Sequence, residues 1–91
     1  MTEEHDKKIV TNLKKAHGQI THINAMIVDK RYCIDIAQQV NAAIGLLRQV
    51  NNFILESHLL SCGRHKLNSK DKKEREEFIR ELIKTFNITS Y

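Results

Sequence analysis

YCIDIAQQVNAAIGLLRQVNNFILESHLLSC, residues 32–62, decides the fold. It holds no proline and one glycine, Gly45, and its apolar positions Ile36, Val40, Ala43, Leu47, Val50 and Ile54 alternate spacings of four and three. Such a seam belongs to a helix packed lengthwise against another, closed either within a protomer or between protomers. The pattern predicts one helix over about 32–62. His58 and Cys62, four residues apart, would then lie one turn apart on one face and could clamp a single ion together. Cys33 lies elsewhere. At about 1.5 Å per residue the helix separates it from His58 by about 37 Å, and no metal bond of about 2.0 to 2.3 Å closes that gap. Either Cys33 is unrelated to the pair, or it meets His58 and Cys62 of a second copy whose helix runs antiparallel. A two-fold homodimer provides that arrangement and makes the site twice. The crossing point then falls near Leu46 and Leu47, beside Gly45. A glycine there lets two backbones approach closely, or is simply a tolerated cost of about 1 kcal/mol.

Outward from this helix the rest of the chain also reads as α-helical. A first helix is expected over about 3–28, with Ile9, Leu13, Ile20, Ile23 and Ile27 as its apolar stripe, broken by Asp29, Lys30 and Arg31. Gly63 stands where a C-cap glycine belongs, and GRHKLNSKD then reads as the one loop. Asp71 followed by Glu74 resembles a capping box, opening a third helix over about 72–87 with Phe78, Leu82, Ile83 and Phe86 on its apolar face. The expectation is an all-α, three-helix protomer with a long central helix, one domain over residues 1–91. Ninety-one residues bury a modest core alone, so a helix face buried against another subunit is a natural supplement.

Composition narrows the function. No apolar run approaches a membrane span, and the N-terminus MTEEHDKKIV is charged where a signal peptide would be apolar, so a cytoplasmic protein without a membrane partner is expected. Two cysteines in a reducing compartment point to metal binding, reactivity or burial rather than a structural disulfide. A net charge of +4 favours an anionic partner, nucleic acid first. No nucleophile and base pair or open metal position suggests an enzyme.

The stretches LKKAHGQITHI (13–23), DKRYCIDIAQQVNAAIG (29–45) and ESHLLSC (56–62) together resemble the copper-sensing operon repressor (CsoR) family of bacterial regulators, over nearly the full length. Relatives in that superfamily sense nickel or cobalt, formaldehyde, and persulfides. The resemblance implies an antiparallel homodimer, two dimers forming a tetramer, and operator binding without a helix-turn-helix. It also implies that Cys33 of one subunit joins His58 and Cys62 of the other around one Cu(I) per subunit. Two thiolates and an imidazole form a soft, three-coordinate set that suits Cu(I), whereas zinc usually takes a fourth ligand and nickel more nitrogen or oxygen. The nickel and cobalt sensors place a histidine at the last ligand position, which is Cys62 here. His5 does not match the register of their N-terminal ligand. Formaldehyde sensors lack the second helical cysteine, and persulfide sensors keep both cysteines but lose the histidine.

The family further implies roles for Tyr32, beside Cys33, and for a third-helix glutamate that aligns with Glu81, although the loop before it is longer than the family's usual. For DNA it points to Lys14, Lys15 and Gln19 on the first helix, with Lys7 and Lys8 earlier and Arg48 on the second. Lysines of this kind give phosphate contacts, affinity and salt dependence more than sequence choice. The cluster Lys66, Lys70, Lys72 and Lys73 reads as a solvated charged turn, and His17, His22 and His65 as surface histidines. The expected function is a repressor that holds operator DNA in the apo form and releases it on binding Cu(I), derepressing copper export. The rivals are a persulfide sensor of the same fold using Cys33 and Cys62, and a cytosolic copper-buffering protein with no DNA role.

Overall fold

In the computed structural model, residues 1–86 are described, apart from the Cys62 side chain. They form α1 (Glu3–Val28), α2 (Cys33–Leu60), a short α3 (Cys62–Leu67) and α4 (Lys72–Phe86). The all-α expectation with a long central helix stands, but the described residues hold four helices, not three. The expected end of the last helix at Asn87 lies outside them.

α1 begins where Thr2 caps it, the hydroxyl accepting from the His5 amide at 3.2 Å. It ends in a Schellman turn: the Arg31 amide donates to Met26 O at 3.0 Å and the Lys30 amide to Ile27 O at 3.1 Å. The turn needs a left-handed residue, and Lys30 occupies it with φ 54°. A left-handed side-chain-bearing residue costs about 1–2 kcal/mol, against which glycine loses about 0.5–1 kcal/mol through greater unfolded-state freedom. Lys30→Gly is therefore expected to raise the thermal midpoint, by up to about 1 kcal/mol of stability, in a melt followed by circular dichroism.

α1 and α2 form an antiparallel hairpin along interlocking seams. On α1 the inward positions are His5, Ile9, Asn12, Ala16, Gln19 and Met26; on α2 they centre on Ala43, Val50 and Ser57. Polar groups on α1 recur every seventh residue and pair across the seam in reverse order along α2. His5 Nε2 lies 3.6 Å from Glu56 Oε1, Asn12 Nδ2 donates to Gln49 Oε1 at 2.7 Å, and Gln19 Nε2 donates to Gln39 Oε1. Buried amides need such partners, and a shift of the helices by one turn would strand them, so they fix the register. The expected α1 stripe is offset from this seam. Ile9 is buried and Ile23 half-buried, but Leu13, Ile20 and Ile27 are 44, 50 and 58 % exposed.

The long helix ends earlier than expected, and serine chemistry explains the break. The Ser61 hydroxyl donates to Ser57 O at 2.7 Å, taking the acceptor its own amide would use in a continuous helix; that amide moves to His58 O at 3.3 Å. Ser61 leaves helical geometry, with φ −119° and ψ −106°, and the chain restarts as α3. The expected loop GRHKLNSKD thus contains a turn and a half of helix. Gly63 is no left-handed cap, since no glycine has positive φ. It is buried, and a Cβ there would stand 2.7 Å from His58 O and 2.9 Å from Phe78 Cζ. Glycine lets α3 close on α2 and α4.

α4 is capped by Asp71, the residue before it, whose Oδ1 accepts from the Lys73 amide at 3.0 Å. The reciprocal half of the expected capping box is absent: Glu74 instead accepts from the Ser69 hydroxyl at 3.0 Å, and that hydroxyl accepts from the Asp71 amide at 3.1 Å. Phe78, 2 % exposed, anchors α4 beneath α3 and the end of α2.

Candidate metal centre and nucleic-acid interface

Cys33 is exposed at the first position of α2, next to Tyr32, itself 66 % exposed. His58 is half-buried in the last turn of the same helix, its ring tilted against Phe78 at a centroid distance of 5.5 Å. Cys62, expected on the same helix as His58, opens α3 instead. Within the chain Cys33 stays at the far end of α2, and among the described residues no group of three metal-ligating side chains comes together.

Cys33 and His58 nevertheless share one stripe of α2. Spacings of seven, four, three, seven and four lead from Cys33 through Val40, Ile44, Leu47 and Ile54 to His58. This stripe is distinct from the seam on α1, which uses Ala43 and Val50. Val40, Ile44 and Leu47 remain 39, 40 and 44 % exposed in the protomer. Gly45 falls off the stripe, about 100° around the helix from Ile44, and a Cβ there would meet nothing in the protomer.

The last turn of α2 is tied to the start of α1. The Thr2 amide donates to the fully buried Ser57 Oγ at 3.2 Å, and His5, 8 % exposed, bridges Thr2 and Glu56. His5 matched no ligand position in the sequence; its seventh-residue spacing from Asn12 and Gln19 was the signal for a seam role. Glu81, exposed on α4, lines the same shallow depression as His58, with Met1, Ile54, Leu82 and Phe86. The contact of Phe78 with His58 has no signal in the sequence, where Phe78 is one apolar residue among several on its helix. His17, His22 and His65 are exposed.

Of the basic residues assigned to DNA, Lys14 and Lys15 are exposed with no carboxylate within 4 Å among the described residues. Lys7 and Lys8 pair with Glu3 at 3.8 Å and Glu4 at 3.5 Å, and Lys8 also lies over the Phe53 ring. Such exposed pairs are worth under about 1 kcal/mol and open readily to a phosphate. Gln19 is half-buried, its amide held by Gln39. Lys14 sits about 200° around α1 from buried Asn12, and Arg48 about 200° around α2 from buried Val50. The two therefore point out of opposite sides of the hairpin, and one protomer does not unite them.

A helical hairpin with a cysteine and a histidine at the two ends of one half-exposed apolar stripe, and exposed lysines without carboxylate partners on the outer face of α1, suits a metal-responsive, DNA-binding regulator. The comparisons agree: residues 5–87 match the family model of metal-sensitive transcriptional repressors, and the chain belongs to that family. It is 34 % identical over 82 residues to the copper-sensing transcriptional repressor CsoR of Bacillus subtilis, covering 89 % of this chain and 78 % of that protein. It is 38 % identical over 50 residues to the copper-sensing transcriptional repressor RicR of Mycobacterium tuberculosis, covering 55 % and 52 % of the two chains. No solved structure was found to match the chain. Among the described residues no helix is long and apolar enough to cross a membrane.

Proposed function

We propose that the protein is a Cu(I)-responsive repressor acting in the cytoplasm, which binds operator DNA in its apo form and releases it when Cu(I) is bound. The observation that carries the reading is the α2 stripe: Cys33 and His58 at its two ends, half-exposed apolar residues between them. A second copy laid antiparallel on that stripe would cover Val40, Ile44 and Leu47 and bring Cys33 to His58 and Cys62 of the partner subunit. The donor set fits the ion, since two thiolates and one imidazole favour Cu(I) over harder or four-coordinate metals. Tyr32 and Glu81 would stand beside the ligands and orient them. Pairing of dimers into a tetramer is the natural cover for the remaining apolar row on α1, Val10, Leu13, Ile20 and Ile27.

For DNA, Lys14 and Lys15 would take phosphates first, with Lys7 and Lys8 after release from their glutamates and Arg48 from a neighbouring protomer. Gln19 would reach a base or phosphate only by leaving Gln39. Both copper-sensing relatives support copper as the inducer. Thermodynamic linkage supplies the test: in an anaerobic competition titration, Cu(I) is expected to weaken operator binding by about 5- to 150-fold, and operator DNA to weaken Cu(I) binding by the same factor. Unchanged DNA affinity with the site loaded rejects the proposal. Sulfur links between Cys33 and the partner subunit's Cys62 after polysulfide treatment, with Cu(I) inert, would replace it with a persulfide sensor.

A further inference from the structure

A surplus of positive charge equal to the chain's net +4 lies in residues 64–73, which add Arg64 to the lysine cluster expected as a solvated charged turn. Residues 64–73 hold five cations, Arg64, Lys66, Lys70, Lys72 and Lys73, against the single carboxylate of Asp71; the other ten cations of the chain are matched by its other ten carboxylates. All five are exposed. Lys72 pairs with Glu76 at 3.9 Å, whereas Arg64, Lys66, Lys70 and Lys73 have no carboxylate within 4 Å among the described residues. This contrasts with the start of α1, where Lys7 and Lys8 each have a glutamate. Glu74, Glu76 and Glu77 begin the adjoining α4, yet four of the five cations have no carboxylate within 4 Å among the described residues, and such a cluster attracts an anionic partner over a Debye length of about 8–10 Å.

We infer that α3 and the α3–α4 turn form a second DNA-contacting surface, seating Arg64, Lys70 and Lys73 on operator phosphates in addition to the α1 lysines. The inference rests on the repressor reading for the identity of the polyanion. The surface is also in direct contact with the proposed inducer site. Cys62 opens α3, Gly63 packs on His58 O, and the Phe78 ring stands 5.5 Å from the His58 ring and 5.6 Å from Lys66 Nζ. A rearrangement of the α2–α3 junction would therefore be felt by the basic surface without passing through α1.

The test uses the full-length apo protein and a labelled mixed-sequence DNA duplex, with anisotropy titrations over a series of salt concentrations. Each neutralised phosphate adds about 0.9 to the steepness of log K against log salt. The triple variant Arg64→Gln, Lys70→Gln, Lys73→Gln is expected to lower affinity at low salt and to flatten the slope by about 0.9 for every phosphate that its protomers no longer neutralise. Its far-ultraviolet circular dichroism and Cu(I) stoichiometry should remain those of the unsubstituted protein, because all three side chains are exposed. A folded triple variant with unchanged affinity and slope overturns the inference while leaving the repressor reading intact. Absence of any salt-dependent binding by the unsubstituted protein removes both.

Discussion

Cys33→Ser is expected to abolish the response of DNA binding to Cu(I) while leaving apo binding to the operator unchanged. Cys33 is exposed, and its replacement disturbs no core packing, so the fold should not register the change. The metal site would lose one of three ligands. Even outer partners of a metal site are worth 10- to 100-fold in affinity, so loss of a thiolate should cost more than about 100-fold in Cu(I) binding. The measurement is a Cu(I) competition titration beside an apo DNA titration on the same variant. If Cys33 is an ordinary surface cysteine, both curves will superimpose on those of the unsubstituted protein.

Phe78→Ala is expected to produce the largest loss of stability of any single substitution in the described chain. Its ring is 2 % exposed and lies against the His58 ring, Lys66 and the Gly63 backbone. Truncating a buried phenylalanine costs about 3–5 kcal/mol, a large share of the roughly 5–15 kcal/mol that holds a typical domain. The thermal midpoint should fall steeply, and α4 should lose its dock on the end of α2. Because Phe78 borders His58, the variant should also weaken Cu(I) binding under conditions where it still folds. A loss of stability under about 1 kcal/mol would mean that α4 is not held by this ring.

Much of this was legible in residues alone, and the failures have definite causes. α1 was readable to the residue because the break after Val28 is chemically marked by a polar run. Its buried face was not, because periodicity reports that apolar faces exist without saying which one its own chain covers. Leu13, Ile20 and Ile27 share a face, but polar Asn12 and Gln19 occupy the inner seam because Gln49 and Gln39 meet them there. The end of α2 was misplaced for a similar reason. Nothing in ESHLLSC advertises that the Ser61 hydroxyl takes Ser57 O, and the C-cap rule assigned to Gly63 a role that its packing against His58 and Phe78 replaces.

The site divides along the same line. Cys33 and His58 were readable as candidate ligands from residue type, and the length of α2 forced a choice between unrelated residues and a second chain. The residues leave that choice open, and the proposal of a second chain rests on the half-exposed stripe from Val40 to Leu47. A continuous helix would set Cys62 one turn from His58, but the break at Ser61 places it at the start of α3, so the two candidate ligands belong to different elements.

If each Cu(I) site is shared between two chains, mixing two variants that lack different ligands should rebuild it. Cys33→Ser and Cys62→Ser proteins, each expected to lack one of the three proposed ligands, are unfolded together, refolded as an equimolar mixture and titrated with Cu(I) under anaerobic conditions. A heterodimer keeps one complete site, from Cys33 of one subunit with His58 and Cys62 of the other, so random pairing should recover about a quarter of the capacity of the unsubstituted protein. If the ligands act within one chain, or Cys33 takes no part, the mixture will bind only the average of its two components.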